Sequence, residues 1–236
     1  VISLANYSQK IKNGKQTMLS ARQGSGRRLP FALPCVMIFG ENAEVFMRLI
    51  KTDEVVKVSR LLTDIFADYE AYRLFFPEEK KMAKGMEMFF RYEIYASQPY
   101  TRVDEDFLAV AAVKRPGDSD RNPKTLFLNP FFACSFLSAT GIKAVRLAGE
   151  YIAFAEKIAE KYYNPAVDCY IKNIGVAREA RGQGRLRRMI DELCGEFPVY
   201  LETHDENNVA IYEHLGFRVC EKADFHGYTH YAMRRD

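Results

Sequence analysis

Residues 176–188, Val176-Ala177-Arg178-Glu179-Ala180-Arg181-Gly182-Gln183-Gly184-Arg185-Leu186-Arg187-Arg188, join an apolar run to an amphipathic one through two glycines. A strand that passes through such a turn into a helix presents main-chain N–H groups at the positive end of the helix dipole, a cradle for a diphosphate. Gly182 and Gly184 permit the approach, because a side chain there holds the anion off the backbone. Arg181, Arg185, Arg187 and Arg188 place four cations within eight residues, suited to anionic oxygens. Cations are unfavourable in the first turn of an empty helix, a cost that a bound polyanion offsets. Taken alone, the turn reads equally well as an ordinary β–α connection with solvated arginines. Four histidines, His204, His214, His226 and His230, fall within the last 33 residues. His226 and His230 lie in a predicted turn and strand, where a four-residue offset does not converge on one ion, and no third ligand is spaced for them. No metal is expected.

The elements around this turn follow from periodicity. Met47–Lys51 alternates as a short strand, and Thr52 followed by two acids reads as a capped helix start. Val55, Val58, Leu61, Leu62, Ile65 and Phe66 then recur at helical spacing up to Tyr69, and Met82, Met86, Phe89 and Phe90 mark a second helix after Pro77. Tyr100–Val103 and Phe107–Lys114 read as a hairpin about the acidic turn Asp104-Glu105-Asp106, with a polar loop over 115–124. Helical patterns follow over Thr125–Ser138 and from Ile142 to Asn164-Pro165. Asp168–Val176 is a strand, Leu186, Met189, Ile190 and Leu193 mark the helix after the glycine turn, and Val199–Thr203 is the next strand. A short helix over 207–215 closes at Gly216, and Phe217–Lys222 and Thr229–Arg234 are the last two strands. The order of this C-terminal part is β-α-β-α-β-β.

At 236 residues, 48% hydrophobic and 28% charged, the composition is that of a globular protein, which excludes fibrous and wholly disordered classes. No apolar run reaches the roughly 18 residues of a membrane span. The longest, Phe31–Phe39, contains Pro34, and no small-residue cleavage site follows it. Five cysteines without a C-x-x-C pair fit neither a disulfide framework nor a zinc site and suit a reducing, cytoplasmic setting. The net charge of +3 is misleading, because residues 1–46 hold six Lys/Arg against two Glu and leave 28 basic against 29 acidic side chains from Met47 onward. A nearly neutral body argues against nucleic-acid binding. Residues 1–46, rich in Ser, Gly, Asn and Gln, read as a flexible basic extension before a single domain over 47–236.

The segment from Val176 to Gly184 resembles the acetyl-CoA diphosphate motif of the GCN5-related N-acetyltransferases (GNAT), in which a strand ending in Val leads to R/Q-x-x-G-x-G/A. Tyr200-Leu201-Glu202-Thr203 followed by Asn208-Val209-Ala210-Ile211-Tyr212-Glu213-His214-Leu215-Gly216-Phe217 is similar to the second signature of that family, a strand and then N-x-x-x-Y-E-x-x-G-F. Upstream, residues 64–69 and the Pro77-Glu78 helix resemble the subgroup that includes puromycin N-acetyltransferase. The likeness is strong from 168 onward and loose over 47–167. Leu186 departs from the motif's Gly or Ala, and Arg185 from its aliphatic position.

The resemblance implies an α/β (α+β) fold with a mixed, mostly antiparallel central sheet and helices on both faces. It implies acetyl-CoA as co-substrate, bound through Ile174, Val176, Arg181, Gly182, Gln183, Gly184, Arg185, Leu186, Arg187, Asn208 and Tyr212, and direct transfer to a small primary amine. Acyl transfer from a thioester needs a neutral amine, a stabilised oxyanion and an acid for a thiolate whose pKa is near 8.5. Tyr212 holds the position of the family's tyrosine acid, and Asn208 shares its helix face. For the base, Asp168, Tyr170 and Lys172 share a strand face by the period of two, Glu202 sits on the next strand, and Glu202 is preferred. Tyr69, Asp168 and Tyr170 are expected in the acceptor pocket. A coenzyme-binding sensor without turnover is the alternative, and a binder acting through residues 1–46 a third. Oligomeric state, a homodimer included, is left open.

Overall fold

The computed structural model describes residues 46–76, 78–118, 134, 136–138 and 140–236; the expected extension 1–45 and most of the expected helix 125–138 lie outside the described residues. Seven strands form one sheet in the order β1-β2-β3-β4-β5-β7-β6, where β1 is Arg48–Leu49, β2 Thr101–Val103, β3 Ala109–Lys114, β4 Cys169–Val176, β5 Val199–Thr203, β6 Arg218–Phe225 and β7 Tyr228–Arg235. Every neighbouring pair is antiparallel except β4 and β5. The helices are α1 (Val55–Ile65), α2 (Tyr72–Phe75), α3 (Glu79–Ser97), α4 (Ile142–Tyr162), α5 (Arg185–Cys194) and α6 (Glu206–His214).

Strand β3 shows why helices must cover both faces. Its first five residues are fully buried; Ala109, Ala111 and Val113 pack beneath α5 and α6, while Val110 packs beneath α1, α3 and α4. Helices α1 and α5 contribute the apolar stripes that their spacing foretells, Val55, Val58 and Leu62 from α1 and Met189, Ile190 and Leu193 from α5. The stripe expected on α4 through Ile142, Val145, Ala148, Ile152, Ala155, Ala159 and Tyr162 is rotated: Ala144, Ala148, Tyr151, Ala155, Ile158 and Ala159 are buried and Ile142 is exposed. The one-turn helix α2 was not foreseen; it carries Tyr72 and Phe75 into the core. Strand β1 is shorter than expected, because Glu54 accepts the Lys51 N–H at 2.8 Å and pairs with Arg48 at 2.8 Å. Thr52 therefore lies inside a 3-10 turn rather than capping a helix, and the carboxylate of Glu54 ties down the turn.

The feature that creates the site is the parting of β4 and β5. They pair only at Cys169–Val199, Tyr170–Tyr200 and Ile171–Leu201. Beyond Ile171, β4 remains paired to β3 on its other side, with a bulge in which Ala112 faces Asn173 and Val113 faces Ile171, so that Lys172 is the extra residue. From Lys172 to Val176, β4 thus no longer pairs with β5. The bulge also changes the face. Ile171 and Ile174 both enter the core beneath α5, which a strict alternation forbids.

Candidate active site

A cleft of about 400 Å³ opens where the two strands separate. Strand β4 contributes Ile174, Gly175 and Val176, and the following turn and α5 contribute Ala180, Arg181, Gly182, Gly184, Arg185 and Leu186. One side is α1 and the turn after it, with Ile65, Phe66, Asp68 and Tyr69; the other is Asp205 with Asn208, Ile211 and Tyr212 of α6.

The glycine turn is built from left-handed backbone. Gly182 and Gly184 have φ of 74° and 72°, left-handed values that L side chains rarely adopt, and a Cβ built on either meets no protein atom within 4 Å. The space around it is open. The first helical hydrogen bond of α5 runs from the Arg188 N–H to the Gly184 carbonyl, so the preceding N–H groups have no intrahelical acceptor. An anion with several oxygens fits there.

The arginines behave differently from the expectation. Arg185 is tied at 2.6 Å to Asp104, whose carboxylate also accepts the Leu108 and Ala109 N–H groups. Arg181 turns back to the Val176 carbonyl at 3.2 Å, Arg187 reaches the His214 carbonyl at the end of α6, and Arg188 lies over the Phe46 ring. Each guanidinium thus has a protein contact in this structure. Leu186 packs against the core beneath α5 while also bordering the cleft, which accounts for its place in the motif. Gln183 and Arg187 do not border the cleft.

Two phenols face the cleft interior. Tyr212 is buried, and among the described residues none hydrogen-bonds its hydroxyl. Burial, and then the nearby Tyr69, hold its proton well above the ordinary phenol range. Tyr69 is pushed up to about 12 by burial, opposed by hydrogen bonds from Thr203 and the His204 N–H. Asp68 reaches across to Arg178 in an exposed ion pair, and Asp205 caps α6 by accepting the Asn207 N–H at 2.9 Å. The first helix was expected at the acceptor pocket and does border the cleft through Ile65, whereas Asp205 was not foreseen as part of the site. The cap itself, Asp205 before Glu206, was the available signal.

Three expected site residues lie elsewhere. Asp168 is fully buried and accepts two hydrogen bonds from Arg234, at 2.5 and 3.0 Å, and one from the Asn164 N–H. It lies eight residues along the strand from Val176, roughly 25 Å, so it links the end of α4 to β7 far from this cleft. Tyr170 donates to Glu202 at 3.1 Å, and Tyr200 donates to the other oxygen at 2.9 Å. Glu202 is fully buried beneath these rings, which lifts its carboxyl from 4.5 to about 7, burial outweighing the two hydrogen bonds. The Lys172 ammonium does share this side of the sheet, 6.0 Å from the Tyr170 ring.

The sign of the Glu202 effect is testable. A carboxyl that keeps its proton longer when folded makes the folded state bind more protons between pH 4.5 and 7, so its stabilisation is full below pH 4.5 and is lost as pH rises to 7. About 3 kcal/mol of stability is expected to disappear across that window. Urea unfolding of Glu202→Gln at several pH values is expected to show a visibly flatter dependence, and an unchanged slope removes Glu202 as its source.

The histidines form a buried pair instead of a metal site. His204 Nε2 and His230 Nδ1 are 3.3 Å apart, both held neutral at pH 7 by burial, which brings His230 to about 4. Among the described residues, no group of three or more His, Cys, Asp or Glu is placed to hold a metal ion.

The chain is 25% identical over 180 residues to an uncharacterized N-acetyltransferase of Schizosaccharomyces pombe, across 71% of this chain and 72% of that protein. A crystal structure from Corynebacterium glutamicum, named as histone acetyltransferase HPA2 and related acetyltransferase, shares the fold with a TM-score of 0.52 at 17% identity. The likeness covers 80% of this chain and 94% of that one. No protein-family model matches the chain.

The chain has the fold of that acetyltransferase structure.

Its sheet is mixed and mostly antiparallel with helices on both faces, as expected. The two signature segments, 176–184 and 208–217, both border the cleft although each was recognised separately. Among the described residues no helix is long and apolar enough to cross a membrane.

Proposed function

We propose that the protein transfers an acetyl group from acetyl-CoA to a primary amine of a small molecule, directly and within a ternary complex. One observation carries the reading: a single cleft runs from the glycine cradle, along the part of β4 that no longer pairs with β5, to the hydroxyl of Tyr212. The cradle holds the diphosphate, and the main chain at Ile174 and Val176 aligns the pantetheine arm as a strand would, with Asn208 beside it. Tyr212 stays protonated and hands its proton to the departing sulfur. A buried phenol with a raised pKa is not a poor acid here, because the same burial raises the pKa of the thiol. Glu202 does not border the cleft; its part is that of a proton store near neutrality, reached through the Tyr170 or Tyr200 hydroxyl. The likeness to the puromycin subgroup rests on residues 64–69 and the helix after Pro77, and it supports a small acceptor. The free buried thiols of Cys169 and Cys194 agree with a reducing, cytoplasmic setting.

The sensor alternative has one observation in its favour. Both carboxylates that border the cleft, Asp68 and Asp205, are engaged, the first with Arg178 and the second as a cap. Acetyl-CoA at 100 times its Kd is expected to stabilise the fold by about 2.7 kcal/mol, a rise in Tm of about 5–10 °C, under either reading. Thiol release on adding members of an amine panel then separates turnover from sensing. Absence of any heat when acetyl-CoA is titrated into folded protein overturns both.

A further inference from the structure

Tyr69 is tied to the end of β5 across more than 130 residues of sequence. Its hydroxyl oxygen accepts the His204 N–H at 2.6 Å and lies 3.1 Å from Thr203 Oγ1, which in turn accepts the Asp205 N–H at 3.3 Å. Counting donors orients these hydroxyls. If Tyr69 gave its proton to Thr203, the Thr203 hydroxyl hydrogen would have no acceptor among the described residues, and Thr203 is fully buried. If Thr203 donates instead, both lone pairs of the phenol oxygen are used, and only the phenolic hydrogen is left, on a residue that borders the cleft. Burial tolerates the second arrangement, because a ligand or water in the cleft can accept.

Three atoms in the cleft compete for that hydrogen during acyl transfer. The amine nitrogen commits its lone pair to carbon, and the sulfur takes the proton of Tyr212. The carbonyl oxygen has spare lone pairs and gains negative charge as carbon becomes tetrahedral. We propose that the Tyr69 hydroxyl donates a hydrogen bond to the carbonyl oxygen of the bound thioester and stabilises the oxyanion together with the main chain of β4.

The inference rests on the acetyl-CoA reading of the cleft. The N–C bond forms and the C–S bond breaks, with its electron pair going to sulfur, which takes the Tyr212 proton. The proton lost by nitrogen returns to Tyr212 through water, and Tyr69 keeps its own throughout.

The test compares the full-length parent with Tyr69→Phe, which keeps the ring against Phe66 and Tyr72. Isotope-edited infrared spectra of bound [1-13C]acetyl-CoA are expected to place the carbonyl band at lower frequency in the parent than in the variant. Basal hydrolysis of acetyl-CoA, read as thiol release, is expected to fall about 100-fold, with acetyl-CoA affinity within about threefold of the parent. Identical bands and rates in the two proteins overturn the role of Tyr69 while leaving the coenzyme site standing. Failure of the parent itself to bind acetyl-CoA overturns the coenzyme reading and this role with it. Thr203→Val provides a second arm that keeps Tyr69 intact: a weaker band shift and a smaller loss of rate support the assigned hydroxyl order, and a gain in rate overturns it.

Discussion

Replacing Tyr212 by Phe is expected to lower turnover by about 10²- to 10⁴-fold, the range for loss of a positioned acid, with the KM for acetyl-CoA little changed. The substitution is clean because the hydroxyl has no hydrogen-bond partner among the described residues, so no protein group is orphaned. The ring keeps its edge contact with Phe217, at 5.6 Å between centroids, and its place in the core beneath α6. Stability is therefore expected to hold or rise slightly, and the loss appears in the chemical step alone. The measurement is steady-state thiol release with the best acceptor from the amine panel, beside a calorimetric titration of acetyl-CoA. Parent-like turnover removes Tyr212 from the mechanism. Turnover and affinity falling together would instead make it a binding residue.

Gly184→Val is expected to weaken acetyl-CoA binding by about 100-fold or more. Two effects act in the same direction. A β-branched residue at φ 72° is a steric outlier, which costs roughly 1–2 kcal/mol locally and pulls the N-terminus of α5 out of shape. Its Cβ also enters the space where the anion sits, since no protein atom occupies it. A hydrogen bond to a charged group contributes about 1.5–3 kcal/mol, so losing even one costs about 10- to 150-fold in affinity. Circular dichroism is expected to report a folded protein, because α5 remains anchored through Met189, Ile190 and Leu193. Unchanged affinity in a folded variant shows that the diphosphate is not held by this turn. Arg187→Ala provides the contrast: that guanidinium is turned to the His214 carbonyl, and its loss is expected to change the affinity little.

The parts of the site that were legible are the parts governed by neighbours in sequence. Glycines two apart after a strand set the backbone of the turn whatever surrounds them, and Asn208 and Tyr212 share a helix face by the helix period alone. Strand β3 and the stripes of α1 and α5 were readable for the same reason, while the buried face of α4 turned out rotated from the expected one. The misplaced residues are those whose environment depends on partners far along the chain. Asp168 looked like a pocket carboxylate because nothing near it in sequence reveals Arg234, 66 residues away. Glu202 looked available as a base until Tyr170 and Tyr200 closed over it. The four arginines looked like phosphate ligands, yet three find acceptors on other segments or lie over an aromatic ring, and Arg181 folds back on its own strand.

By itself the sequence determined most of the described helices and strands, the glycine turn and the tyrosine on α6, because propensity, capping and periodicity act over a few residues. The tertiary structure alone decided that β4 and β5 part after three pairs, that Lys172 bulges and shifts the face of every residue after it, and that Tyr69 meets Thr203. Those outcomes are set by sheet register and by burial against distant segments, where a one-residue slip moves a side chain to the opposite face and no local pattern records it.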